Sequence, residues 1–271
     1  PVSIVQTIKI IFYLYFFVLV LNSCGKSKDS DSSSKAICTE YASPPFSGTI
    51  FIDPDIITSD DPTTFVSLSY NGQAQRTMYD RRVADWITIN PYLFPTLFDD
   101  STTIEIQVNP EFGTADDAKV QAEKFAPVIG RLTTELRKDV ETVWIHKGNE
   151  PFGGGNNNLL IHTEYSALNY EDQGILEETL VHEASHTSLD AYHSTKSDWI
   201  KAQEEDCRFI SSYAEEHPTR EDISESYLPY FAVRYRSDRI SDELKEKIES
   251  AIPNRIKYFD DQSFNMYPLT E

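Results

Sequence analysis

Basic residues are scarce in this chain: Lys and Arg number 24 against 44 Asp and Glu, a formal net charge of −20 over 271 residues. Nucleic acids and anionic membrane surfaces both reward clustered Lys and Arg, so neither is an expected partner. Long apolar runs are also missing. The run Ile10–Leu21 stops at twelve residues, too short for a comfortable membrane span. Asn-x-Ser/Thr sequons are absent, which is mildly unexpected for a eukaryotic secreted protein and neutral for a bacterial one. The run Gly153-Gly154-Gly155 is not followed by Gly-Lys-Ser/Thr, so a phosphate-cradling loop is excluded in favour of a flexible lip leading into an edge strand. Cysteine occurs only at positions 24, 38 and 207. What remains is enough chain for one sizeable domain, or at most two small ones.

The twelve-residue run has the length of a signal-peptide core, with Lys9 as the only charge before it. Pro1 is not an initiator, so a start carrying further positive charge is expected upstream of it. Leu21-Asn22-Ser23-Cys24-Gly25 resembles the lipobox of bacterial lipoproteins, imperfectly at Asn22, which would make Cys24 a lipidated first residue. An ordinary secretory segment cut nearby is the other reading. The expected division is a signal peptide over 1–23, a polar tether over 24–45 and one domain over 46–271. The Ser/Asp/Lys stretch Gly25–Lys35 can bury nothing. Export permits disulfides, and Cys38 with Cys207 could pin the start of the domain to a helix.

Alternation predicts strands over Gly48–Ile52, Phe65–Tyr70, Ile104–Val108, Val140–His146 and Asn156–His162. Asp53, Asp55, Asp60 and Asp61 lack the spacing of a calcium loop and read as a solvated turn. Apolar residues at three- and four-residue intervals predict a helix over Ala115–Asp139, with Pro127 and Gly130 as kinks. Further helices are expected after Gly174, over Asp198–Glu215 and from Thr219 onward. Strands first and helices last give an α+β fold: a small mixed sheet whose edge strand lies over one helix, followed by a helical C-terminal part.

The most informative stretch is His182-Glu183-Ala184-Ser185-His186. Two histidines four apart stack on one helix face and can reach a single metal ion. Glu183 points to the same side, placed to touch a metal-bound water and not the metal. The uncharged Val181, Ala184, Ser185 and Thr187 suit a helix packed under a dry site, and Glu177 and Glu178 suit its first turn. Zinc catalysis needs a third protein ligand. Asp190 lies about 6 Å in rise beyond His186, too far along the axis. His193 would need a sharp turn that no Gly supplies, and His217 precedes Pro218. In Thr219-Arg220-Glu221-Asp222-Ile223-Ser224-Glu225, Thr219 can cap a helix with Asp222 as its capping-box acid. Glu221 and Glu225 then share a face, so Glu221 can bind the metal while Glu225 accepts a hydrogen bond from a liganding His. Pro229 should end or kink this helix.

With His182-Glu183-x-x-His186, Asp190 one turn later and Glu221-x-x-x-Glu225, the chain resembles the zincin metallopeptidases. The resemblance is to the branch with a downstream Glu ligand, which includes thermolysin and the anthrax lethal factor peptidase domain, and covers roughly residues 140–235. It implies one Zn²⁺ on His182, His186 and Glu221, with Asp190 and Glu225 supporting the ligands. It also implies Glu183 as general base, Tyr213 facing the site, and a peptide or protein substrate paired along the strand ending at His162. The expectation is an exported zinc metallopeptidase, membrane-associated only through lipid at Cys24. A non-catalytic binding protein or adhesin on the same scaffold, and a zinc hydrolase of non-peptide substrates, stay open as alternatives.

Overall fold

The computed structural model describes residue 38 and residues 40–270. The expected signal peptide, Cys24 and most of the tether lie outside the described residues. The fold is mixed α+β. Its main sheet holds six strands in the order β1 (Phe65–Leu68), β4 (Tyr92–Phe98), β5 (Thr103–Val108), β6 (Thr142–His146), β8 (Asn158–His162) and β7 (Gly153–Gly155). Strands β5, β6 and β8 run parallel, and the other neighbours are antiparallel. A separate hairpin, β2 (Arg76–Asp80) and β3 (Asp85–Ile89), packs Met78 onto Trp144 and Leu160 of the sheet. The opposite face of the sheet buries Val143, Ile145, Leu159 and Ile161 in the main core with Phe125 and Ile129 of helix Ala115–Gly130 and Leu180 and Val181 of helix Leu176–Ser188. Among the described residues no helix is long and apolar enough to cross a membrane.

Several expectations are corrected. The strand ending at His162 is not the edge: β8 is paired on both sides, and the three glycines, expected as a lip, form the terminal strand. Gly48–Ile52 is not a strand, because its amides are taken by buried carboxylates. Ile50 N–H donates to Glu225 and Ile52 N–H to Glu178, at 3.1 and 2.7 Å. The tether ends earlier than residue 45. Cys38 is disulfide-bonded to Cys207, and Ala42 N–H donates to the Cys207 carbonyl at 2.8 Å. Asp61 is not solvated but buried between Arg236 and Arg239.

The helix expected over Ala115–Asp139 stops at Gly130, whose carbonyl is claimed by Thr64 and Arg137. The segment Asp198–Glu215 breaks at Cys207, which takes a left-handed φ of 54°, into helices Ser197–Asp206 and Ser212–Glu216. Pro229 neither ends nor confines its helix, which runs Asp222–Tyr235. That helix is buried from Asp222 through Val233, and packing on all sides outweighs the ~3 kcal/mol that an interior proline costs. Asp222 is not a capping acid; its carboxylate is buried against Arg255.

His146 on β6 supplies a pH prediction. Its Nδ1 accepts from Asn109 Nδ2 at 2.9 Å and its Nε2–H donates to the Tyr79 carbonyl at 3.1 Å. Asn109 cannot turn over, because its Oδ1 caps Glu111 N–H. Burial, reinforced by His162 and Arg82 and only partly opposed by Asp80, pushes the imidazole down to about 4. A folded-state value below the unfolded 6.5 means that stability is held above pH 6.5 and lost as pH falls through 4. Urea unfolding of the parent and of His146→Gln should therefore show the parent's relative stability falling by up to about 3 kcal/mol between pH 7 and 4. A gap independent of pH would contradict it.

Candidate metal centre

Gly174, at φ +69°, turns the chain into helix Leu176–Ser188. Glu178 in its first turn is buried, accepting N–H groups of Ile52 and Asp53. Burial pushes its carboxyl up to about 7, against the pull of those two amides. Thr187 ties the helix to the edge of the sheet: its hydroxyl donates to the Asn158 carbonyl and accepts Gly155 N–H, both at 2.8 Å. One turn back, the three-glycine strand crosses the helix so closely that a Cβ on Gly154 would fall 1.8 Å from the Glu183 carbonyl oxygen.

His182 and His186 project from this helix toward Glu221, the residue immediately before helix Asp222–Tyr235. The two Nε2 atoms are 3.2 Å apart, His186 Nε2 is 3.1 Å from Glu221 Oε2, and His182 Nε2 is 3.5 Å from the same oxygen. Among the described residues this is the one group of three or more His, Cys, Asp or Glu whose ligand atoms converge in this way. A tetrahedral ion about 2.0–2.1 Å from N and O ligands holds them roughly 3.3 Å apart. The triangle brackets that spacing, so the three side chains fit a zinc ion.

The remaining atoms of each ligand are oriented by neighbours. His186 Nδ1–H donates to Asp190 Oδ2 at 2.8 Å. His182 Nδ1 faces Glu225 Oε1 at 3.5 Å, and neither atom has another partner. The other Glu225 oxygen accepts from Ser211 and from Ile50 N–H. With a metal bound, these partners would keep the proton on Nδ1 of each ring and free both Nε2 atoms as ligands beside Glu221. Glu221 Oε1 is occupied by Arg220 Nε–H at 2.7 Å and Tyr213 O–H at 3.2 Å, so Oε2 alone is presented to the histidines.

The electrostatics follow the same contacts. Burial would lower His186, but its hydrogen bonds to Asp190 and Glu221 and the charges of Asp190 and Glu183 overcome it and raise it to about 10. Glu221 is buried too, yet its bonds to His182 and His186 hold it well below the usual carboxylate range. Burial pushes Glu225 up to about 7, moderated by the His182 charge and by its bonds to Ser211 and Ile50.

The cluster opens into a cleft of ≈ 620 Å³ lined by Glu183, Tyr213, Asp190 and Gly154. Comparisons of the chain with family models, with curated proteins and with solved structures found no match.

Of the residues singled out in the sequence, His182, Glu183, His186, Asp190, Tyr213 and Glu221 line this one cleft, and Glu225 stands directly behind His182. Cys24 lies outside the described residues. The rejected ligand candidates are elsewhere: His193 is bonded to the Tyr258 hydroxyl at 2.7 Å, and His217 packs on the Tyr213 ring. Sequence reasoning missed Arg81, Thr49, Phe51 and Tyr170, all in the cleft wall, and Ser224, whose hydroxyl is 3.2 Å from His186 Nε2. Burial and then the charge of Glu183 raise the Tyr170 hydroxyl above its ordinary value. No spacing rule connects these residues to the His-Glu motif. Arg220 carried a signal only through its place beside Glu221.

Proposed function

We propose that this protein is a zinc-dependent metallopeptidase of zincin-like fold, with His182, His186 and Glu221 as ligands of one Zn²⁺. The observation that carries this reading is the triangle of ligand atoms 3.1–3.5 Å on a side, opening into a cleft that also presents Glu183. Zinc held by three protein ligands lowers the pKa of a coordinated water and polarises a substrate carbonyl.

The chain's own groups divide the remaining work. Glu183 takes the proton of the attacking water and returns it to the leaving amine. The Tyr213 hydroxyl, which accepts from Arg220 and donates to Glu221, turns its one proton from Glu221 to the carbonyl oxygen as charge grows there. An extended peptide pairs with the glycine edge strand, since β7 and not β8 ends the sheet. Export is supported by the apolar run Ile10–Leu21 and by the Cys38–Cys207 disulfide, a bond at home in oxidising compartments. The anchor, on this reading, is lipid at Cys24. The net charge of −20 supports a peptide partner over nucleic acid.

Zinc analysis of the purified protein tests the assignment. The parent should carry about one zinc per chain, Glu221→Ala should lose most of it, and Asp190→Ala should still fill at saturating zinc while binding 10–100-fold more weakly. If Asp190→Ala empties the site and Glu221→Ala does not, the ligand set is wrong.

A further inference from the structure

The glycine strand separates two cavities. One is the cleft above the candidate metal centre. The other, of ≈ 260 Å³, lies beside the hairpin and is walled by Tyr79, Arg81, Trp86, Trp144 and Leu160. Both share Arg81, Gly154 and Gly155.

Strand register fixes which face each glycine presents. Gly154 is opposite Leu159, whose side chain enters the main core, whereas Gly153 and Gly155 are opposite Leu160 and Asn158, which line the hairpin cavity. The space around each glycine agrees. A Cβ on Gly154 would strike the Glu183 backbone, and one on Gly153 would meet the Arg81 guanidinium at 2.8 Å. A peptide added along the outer edge of β7 must keep this alternation. The residue level with Gly154 turns its side chain toward the motif helix, and its neighbours turn theirs toward the hairpin. Glycine gives β7 no side chains of its own there, so the guest side chain meets the hairpin wall directly.

That wall suits an aromatic guest. Trp86 is half exposed, and its ring stands edge-on to Trp144 at 5.4 Å and to Tyr79 at 5.6 Å. Arg81 spends one nitrogen on the Phe152 carbonyl at 2.8 Å, and the rest of its planar cation borders the cavity. Ring edges and faces beside a guanidinium favour an aromatic side chain through quadrupole and cation–π attraction. A carboxylate would meet one exposed charge among apolar rings, a weak pairing.

We propose that Arg81, Trp86 and Trp144 form a subsite for an aromatic side chain of the peptide substrate, one residue away from the position level with Gly154. The proposal rests on the metallopeptidase reading for its substrate, and its test separates the two. Extended peptides identical but for Phe or Ala at each position in turn are hydrolysed by the zinc-loaded parent, and their binding to Glu183→Gln is measured at equilibrium. Phe at one position should lower KM about tenfold with kcat little changed, and tighten binding to Glu183→Gln by the same factor.

Trp86→Ala should erase that preference, and Trp86→Tyr, which keeps an aromatic wall should the Ala variant fold poorly, should retain part of it. Hydrolysis with no Phe preference, or a preference that survives Trp86→Ala, overturns the subsite and leaves the activity standing. A preference for Asp or Glu that is lost in Arg81→Ala also overturns it. Trp86-dependent binding of the Phe peptide without any hydrolysis by the parent keeps the subsite and overturns the peptidase reading.

Discussion

Glu183→Gln is expected to lower peptide turnover by 10²–10⁴-fold, the usual worth of a positioned general base, while fold and zinc content stay those of the parent. The substitution keeps side-chain volume and removes only the proton acceptor. The proposed ligands are untouched, because His182, His186 and Glu221 converge on one another without Glu183. The helix is untouched as well: it is held by the Glu178 and Thr187 contacts to Ile52, Asp53 and Gly155. Steady-state kinetics with parallel zinc analysis checks this. A Gln variant as fast as the parent would remove Glu183 from the chemistry, and one that lost zinc would make it part of the metal shell.

Gly154→Ala should be nearly as damaging, by a different route. Its added methyl would lie 1.8 Å from the Glu183 carbonyl oxygen and 2.6 Å from the carbonyl carbon. Both are backbone atoms, so no rotamer change relieves the overlap. The strand cannot slide away freely, because Gly155 N–H is bonded to Thr187 and β7 is paired with β8. Overpacking of this kind costs about 1–3 kcal/mol, equivalent to a fall of roughly 2–10 °C in thermal midpoint for a domain of this size. The strand must lift from the helix that carries Glu183, so activity should fall further than stability. Calorimetry and kinetics on the same preparation test it, and a variant with the parent's midpoint and turnover would show that the close approach has no role.

The parts of the site legible in the sequence are those that a single helix places. His182, Glu183 and His186 follow from a four-residue spacing, and Asp190 from one turn more. Glu221 and Glu225 were readable as a pair, although the reason offered for the start of their helix was mistaken: Asp222 is bound to Arg255 instead of capping. The cleft wall was not legible because it is made by partners far apart in the chain. Glu225 is 175 residues from Ile50 and Glu178 is 126 from Ile52, and alternation alone read Gly48–Ile52 as a strand.

The hairpin was missed for a local reason. Arg76–Asp80 and Asp85–Ile89 alternate acceptably, but the turn between them is Arg81-Arg82-Val83-Ala84, with Ala84 at φ 53° where Gly or Asn would have announced it. Strand β4 was hidden by Pro95. It stands where the regular ladder with β1 ends at Leu68 opposite Thr96, and its carbonyl still accepts Ser69 N–H at 3.3 Å, a bond that needs no N–H from the proline.

The measurement that bears most directly on the central claim is hydrolysis of a mixed peptide library by the purified parent protein, followed by mass spectrometry with and without a zinc chelator. The account predicts internal cleavage of peptides that stops when zinc is removed and returns when zinc is restored. Peptides left intact by zinc-loaded protein, or cleaved equally in the presence of chelator, would contradict it.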